Sequence, residues 1–249
     1  MAKRSVLLAR LAGIGLVVLF LLGFAVLLRQ LLNRGSGIIV VEKRALPSFR
    51  RIALVGQGNL IYTQGGAARV RVEAEDNVMP FLEMHVTQDT LHLRFRSAWL
   101  TGIQPTQPII YYVTGPALEA ITIRGSGTVV SPRVRTPALR LAIHGDGRMT
   151  LGVETGVLES QLTGIGVFRL HGYAEQQHVD LSGNGRYFTP ALRTRSTRVA
   201  IRGQGVAQVN VARRLHVRIR GFGEVAYRGA PLVSRHIEGR GRIYRLAGN

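Results

Sequence analysis

The chain has 249 residues, 46% of them hydrophobic, which is enough apolar material for one large β domain or two small ones. It has no cysteine, and this excludes disulfides, thiolate metal sites, cysteine nucleophiles and attachment through a lipidated cysteine. The formal charge is +19 and is concentrated late, with fourteen arginines against Glu224 and Glu238 in residues 186–249, so the field favours anionic partners such as lipid headgroups or acidic polysaccharide.

Residues 11–28 form an uninterrupted apolar run, preceded by Lys3, Arg4 and Arg10 and followed by Arg29 and Arg34. Eighteen residues in a helix span about 27 Å, enough to cross a bilayer core. A cleaved secretory peptide usually has a shorter apolar region of about 7 to 15 residues ending in a small-x-small site. Here the run passes into Arg29-Gln30-Leu31-Leu32 with no such site, so the expectation is an uncleaved signal anchor, with residues 1–35 as transmembrane anchor and linker. Lys43, Arg44, Arg50 and Arg51 add positive charge beyond the run, and charge counting alone does not orient it. A long trailing domain translocates largely regardless of flanking charge, so residues 36–249 are placed outside the cytoplasm, in the periplasm or at the cell surface. Nucleic acid is not the expected partner.

After a Gly/Ser break at residues 33–37, β segments are expected at 38–41, 49–62, 70–74 and 91–95, the last two with clear period-2 alternation. Residues 97–108, with Trp99, Pro105 and Pro108, read as a loop before a strand at 109–113. Residues 36–115 therefore form an irregular leading portion that covers the first coil of a regular part, residues 116–249.

The regular part is set by Gly-x-Gly, which recurs as Gly125 and Gly127, Gly145 and Gly147, Gly164 and Gly166, Gly183 and Gly185, Gly203 and Gly205, Gly221 and Gly223, and Gly239 and Gly241, with an early copy at Gly56 and Gly58. The steps are 18 to 20 residues, a period that marks a solenoid. The residue two before each pair is always aliphatic (Leu54, Ile123, Ile143, Leu162, Leu181, Ile201, Ile219, Ile237), and the residue two after is Leu60, Val129, Met149, Phe168, Tyr187, Ala207, Val225 or Ile243. Alternation thus runs through the glycines and gives both the inward parity. Either the strand bends there with a backbone that only glycine tolerates, or two walls approach too closely for a Cβ. The middle residues, Gln57, Ser126, Asp146, Ile165, Asn184, Gln204, Phe222 and Arg240, point outward and share no chemistry.

One 19-residue unit cannot bury enough to stand alone, so neighbours must share ladders and core. The expected fold is an all-β, right-handed parallel β-helix with coils of three short strands; the alternative is an antiparallel sandwich with one hairpin per repeat.

These residues resemble the head-GIN domain family of putative auto-transporter adhesins over about residues 40–245. The likeness includes Phe49-x-x-Ile52 before Gly56-x-Gly58-x-Leu60, then Val70-x-Val72-x-Ala74 with Asp76-Asn77, and Leu91-x-Leu93. It continues through Gly125-Ser126-Gly127-Thr128-Val129 and closes with Gly221-x-Gly223-x-Val225-x-Tyr227-x-Gly229-x-Pro231 and Gly239-x-Gly241-x-Ile243. The resemblance implies an envelope-associated β-solenoid and carries over no catalytic residue.

Several kinds of chemistry find no footing. No glycine-rich turn leads from a strand into a helix, as a nucleotide site requires. Only Asp146 occupies the middle position that a calcium-binding β-roll would fill in every coil. The acidic residues Asp146, Glu154, Glu159, Glu175, Asp180, Glu224 and Glu238 do not recur at one coil position, so the paired carboxylates of a polysaccharide-cleaving β-helix are not indicated. The histidines lack metal-ligand spacing, and His144, His216 and His236 read as outward surface residues. No cofactor and no metal is expected.

What remains is the wall before each first glycine, where Arg202 and Arg220 should lie about 4.8 Å apart on adjacent coils. With Arg193, Arg195, Arg198, Arg213, Arg214 and Arg218 they form the candidate anion-binding patch. The function expected is a membrane-anchored, non-enzymatic envelope module that binds an anionic surface polymer, lipid headgroups or an envelope protein. A self-assembling scaffold stacked end to end is the alternative, and a polysaccharide-degrading enzyme the next.

Overall fold

A computed structural model describes residues 34–96 and 102–247, together with Gly23. The apolar run at 11–28, Gly23 apart, and Trp99 lie outside the described residues; among those described, no helix is long and apolar enough to cross a membrane.

The regular part is one near-continuous strand per coil: β9 (Thr128–Gly145), β10 (Arg148–Gly164), β11 (Val167–Gly183), β12 (Arg186–Gly203) and β13 (Val206–Gly221). Each pairs in parallel with the next, which replaces the hairpin-per-repeat alternative with a parallel solenoid of roughly 19-residue coils. The three separate strands expected per coil are not seen, because the ladder runs through the corners. Its register shifts only locally, as between Leu151 and Val153 or between Arg169 and His171.

Alternation places one residue in two inside. The column two before the glycines (Ile123, Ile143, Leu162, Leu181, Ile201, Ile219) is buried, as is the column two after (Val129, Met149, Phe168, Tyr187, Ala207, Val225). The interior also holds a polar chain across three coils. Ser160 Oγ lies 2.9 Å from the Tyr187 hydroxyl, which accepts from Gln177 Nε2 at 2.9 Å, while Thr197 Oγ1 donates to Gln177 Oε1 at 3.0 Å. Each of these buried groups has a partner, the condition for a polar interior to be tolerated.

The two jobs expected of glycine are divided between the two glycines of each pair. The first has φ between +109° and +125° in the regular coils, a region that side chains rarely adopt. The second, from Gly127 to Gly223, is buried and aims inward, where a Cβ on Gly166 would lie 2.7 Å from both Gly147 O and Ile143 Cγ2. How tightly the second glycine is confined varies along the stack. A Cβ on Gly185 would overlap the Leu162 side chain and meets no backbone atom among its nearest neighbours, so a shift of that leucine decides whether it fits. Gly205 is the least confined of the regular coils, with Ile201 Cγ2 at 3.2 Å, Leu181 Cβ at 3.3 Å and Gly185 O at 3.4 Å from such a Cβ. The requirement for glycine is therefore absolute at the first position and only graded at the second, where Gly185 and Gly205 depend on side-chain packing more than on backbone.

Hydrogen bonds stack the turns: each middle N–H donates to the preceding first-glycine carbonyl, as Asp146 to Gly125 at 3.0 Å and Ile165 to Gly145 at 3.0 Å. The residue after the pair donates to the preceding second-glycine carbonyl, as Arg148 to Gly127 and Val206 to Gly185, both at 3.0 Å, and Glu224 to Gly205 at 3.0 Å.

The leading portion is threaded out of sequence order. β2 (Arg51–Gly56) and β3 (Asn59–Gln64) surround the early Gly-x-Gly and pair in parallel with β8 (Ala120–Gly125) and β9. On their other side lie β6 (Thr90–Phe95) and β7 (Ile110–Gly115), which come later in the chain but stack further out. Antiparallel strands then close this end: β5 (Leu82–Thr87) on β6, β4 (Arg69–Glu75) on β7, and β1 (Ile39–Ala45) on β4. The buried Glu75 carboxylate clasps the incoming chain by accepting from Gly37 N at 2.8 Å, Thr106 N at 2.8 Å and Gln107 N at 3.3 Å, with Thr106 Oγ1 at 2.5 Å.

The other end closes differently. β14 (Glu224–Arg228) and β15 (Leu232–Gly239) stack on β13, and β16 (Arg242–Arg245) stacks on β14. In β15, Arg235 stands opposite the buried Val217, and in β16, Arg245 stands opposite Tyr227, which itself follows the buried Val209. Two inward columns thus end in arginine, so a further coil would have to bury a charge; inward-pointing charge on an edge strand opposes end-to-end pairing.

Gly145→Ala is expected to destabilise the fold by at least about 2 kcal/mol, from positive-φ strain plus overpacking, since its Cβ would lie 2.7 Å from Gly125 O. Asp146→Ala beside it, being exposed, should change stability by no more than about 0.5 kcal/mol in the same denaturant titration.

Burial acts to raise the Glu75 pKa, but the hydrogen bonds from Thr106, Gly37 and Gln107 outweigh it and the net shift is downward. A carboxyl lowered in the folded state stabilises above its unfolded pKa, and this contribution is lost as pH falls through the folded value. Glu75→Gln should therefore cost about 1–3 kcal/mol in thermal unfolding at pH 7, with the difference from the parent closing below about pH 4.

Candidate functional site

Because adjacent coils are in register, outward side chains form columns parallel to the axis, with rungs about 4.8 Å apart. On the wall leading into the glycines one column runs Arg140, Glu159, His178, Arg198, His216, Ser234. Beside it runs Ala138, Val157, Gln176, Ser196, Arg214, Leu232. Two hollows lie between these columns, one of about 410 Å³ over Ala138 and Val157 and one of about 440 Å³ over Gln176, Ser196 and Arg214. A third, of about 320 Å³, lies on the far side of the first column, against Gln161, Asp180 and Ala200. The 410 and 440 Å³ hollows follow one another along the axis between the same two columns and form one axial groove.

The two halves of the groove differ in charge. Toward the leading end the lining includes two carboxylates, Glu119, paired with Arg50 at 3.0 Å, and Glu159, paired with Arg140 at 2.8 Å. The 440 Å³ hollow at the other end is lined by Gln176, His178, Ser196, Arg198, Arg214 and His216, among others, and by no carboxylate. Neither Arg198 nor Arg214 has an ion-pair partner among the described residues.

The eight arginines singled out from the sequence divide accordingly. Arg202 and Arg220 are register partners, but Arg202 pairs with Asp180 at 2.7 Å and Arg220 with Glu238 at 3.0 Å. Arg195 pairs with Glu175 at 2.8 Å, and the charge of Arg213 also acts on that carboxylate. Arg193, Arg198, Arg214 and Arg218 have no carboxylate partner among the described residues, and of these only Arg198 and Arg214 line the groove. His178 and His216, which the sequence presents as histidines without ligand spacing, stand directly on either side of Arg198. Their spacing from Arg198, 20 and 18 residues, is the repeat period itself, and laying that period over the outward positions would have found them.

The remaining polar groups carry no sign of acid–base chemistry. Hydrogen bonds from Arg133 to Glu154, from Tyr173 and Arg195 to Glu175, and from His236 to Glu238 hold those carboxyls below their ordinary pKa. A general acid working near neutrality needs the opposite shift. Among the described residues no cluster of three or more His, Asp or Glu could hold a metal ion. Ile165 and Phe222 are exposed as expected, but three coils separate them, roughly 14 Å, and they form no common patch. A further hollow, about 620 Å³, lies against β1 and β4, but there Arg71 is taken up by Glu73 and by the Tyr112 ring, 3.9 Å away.

The sequence model described as "Putative auto-transporter adhesin, head GIN domain" matches residues 48–231. The chain belongs to this family. Solved structures with the same fold as this head GIN domain include a putative adhesin from Bacteroides fragilis, 23% identical, with a TM-score of 0.79 over 86% of this chain and 99% of that one. A putative lipid binding protein from Parabacteroides distasonis (19% identity, TM-score 0.71) likewise covers 86% of this chain and 99% of its own. A putative adhesin from Parabacteroides merdae (17% identity, TM-score 0.68) covers 86% and 98%. No curated protein matches the chain.

Proposed function

We propose that this head GIN domain protein is a non-enzymatic, adhesin-type binding module, with residues 1–35 as a membrane anchor and linker and residues 36–249 as an extracytoplasmic β-solenoid domain. Its binding surface is the carboxylate-free half of the axial groove, and its ligand class is an acidic surface polysaccharide. The observation that carries this reading is the pair Arg198 and Arg214, both without carboxylate partners and both lining the 440 Å³ hollow. A linear polymer with repeated acidic groups can follow the groove and meet donors on successive rungs. Guanidinium groups not already neutralised offer charge-assisted hydrogen bonds at least cost in broken pairs.

The scaffold alternative is disfavoured by the arginines that end two inward columns. Anionic lipid is the competing source of negative charge, since a structural neighbour is named as a lipid binding protein. The direct test titrates the full-length chain in uncharged detergent micelles with polygalacturonate, and separately with vesicles rich in phosphatidylglycerol. Polymer affinity should fall steeply with salt, and Arg198→Ser with Arg214→Ser should weaken it at least about tenfold, whereas Arg202→Ser with Arg220→Ser should weaken it less. Equal binding by the Arg198/Arg214 variant sinks the groove, and binding to the vesicles alone moves the ligand from polymer to lipid.

Placement has its own test. Protease added to intact spheroplasts should remove the β domain, and full protection of the domain would contradict the extracytoplasmic assignment.

A further inference from the structure

The groove holds two ionisable groups that neutral-pH charge counting leaves out. His178, Arg198 and His216 occupy three successive rungs of one outward column, and all three line the same hollow. We propose that His178 and His216 make this groove an acid-strengthened anion site, binding carboxylate-bearing polysaccharide more tightly as pH falls through the histidine range. The inference rests on the groove reading given above and adds its regulation.

The surroundings of each imidazole give the coupling its direction. His216 has Arg214 and Arg218 two residues away on its own strand, both pointing outward. Arg198 faces it from β12, and Ser234 from β15, with Ser234 Oγ 3.3 Å from His216 Nδ1. His236, next along β15 on the outward side, is held by Glu238 at 2.8 Å. Among the described residues that face it, His216 meets arginine and serine and no carboxylate. An anion bridging Arg198 and His216 reverses that balance, because the imidazolium then gains a charge-assisted hydrogen bond.

His178 is more evenly set. Arg198 faces it from β12 and Glu159 from β10, while Asp180 lies two residues along its own strand. Both carboxylates are engaged, Glu159 with Arg140 at 2.8 Å and Asp180 with Arg202 at 2.7 Å. Neither of these pairs neutralises Arg198. A protonated His178 extends the row of cations to three rungs, over a length of roughly 10 Å.

Linkage then acts both ways: an anion that favours the imidazolium form binds better when that form is already present, by the same factor. No new contact or change of fold is needed. A carboxylate polymer stays ionised across the relevant range, because simple carboxyl groups titrate near pH 4 and imidazole near pH 6.5. The gain on acidification therefore reports protein groups and not the ligand.

The experiment measures polygalacturonate affinity of the full-length chain in uncharged detergent micelles at pH 7.5 and pH 5.5, at fixed ionic strength. Proton uptake on binding is read by calorimetry in two buffers of different ionisation enthalpy. The parent should bind about tenfold more tightly at pH 5.5, the factor equivalent to one pKa unit of ligand-induced shift, and should take up protons near pH 6.5. His178→Gln with His216→Gln keeps a hydrogen-bond donor at each rung without a titrating group. It should lack both the acid gain and the proton uptake. Equal parent affinities at the two pH values, or a gain retained by the double variant, overturn the histidine coupling while leaving the arginine groove standing. Failure of the parent to bind at either pH overturns the groove reading and this inference with it.

Discussion

The fold depends on a hydrogen-bonded stack of Gly-x-Gly turns. In each coil the middle N–H donates to the first-glycine carbonyl one rung below, and the next residue's N–H donates to the second-glycine carbonyl, at 2.9–3.2 Å throughout. That ladder sets the turns at strand spacing, and at that spacing the first-glycine carbonyl below occupies the place a Cβ would take. A corner free of such bonds could relax outward to admit a side chain. Here the bonds run through the corner itself, so relaxing one turn breaks the ladder on both sides. The positive φ of the first glycine and the inward aim of the second are two consequences of one constraint.

Register follows from the turns and carries the surface with it. Because coils cannot slip, outward residues a repeat apart meet one rung apart, and ion pairs form between coils: Arg140 with Glu159, Arg195 with Glu175, Arg202 with Asp180, Arg220 with Glu238. Exposed pairs of this kind contribute little to stability, typically below about 1 kcal/mol each. Their effect is on where charge is left over. They neutralise the wall beside the groove and leave Arg198 and Arg214 with no counter-charge among the described residues. The buried chain through Ser160, Tyr187, Gln177 and Thr197 ties three coils together from within, and its members interrupt otherwise apolar columns.

The two ends show how a solenoid avoids endless growth. At the leading end, β1, β4 and β5 run antiparallel to the strands they cover, and the Glu75 clasp holds the incoming chain against them. At the other end the last coil is left open but carries Arg235 and Arg245 in columns that are apolar further in. The first device occupies the edge with paired strands, and the second makes pairing costly.

The sequence by itself determined the solenoid, its period, its inward and outward parity and the exposure of residues such as Ile165 and Phe222, because each follows from short-range alternation repeated at a fixed interval. It could not grade the glycines, since the room beside Gly205 and the leucine against Gly185 depend on how neighbouring coils fill the interior. It could not show that β6 and β7 stack outside β2 and β3, since that order rests on contacts between segments some 40 to 50 residues apart with no repeat to announce them. Nor could it say which arginines keep their charge uncompensated. Arg198 and Arg202 are four residues apart on one strand, and both are exposed. What separates them is the neighbour one coil below, His178 under Arg198 and Ser182 under Arg202, with Asp180 in reach of Arg202 alone. That neighbour is fixed only when the glycine turns stack and the coils lock in register, so the position of the groove's unpaired charge is a property of the tertiary structure.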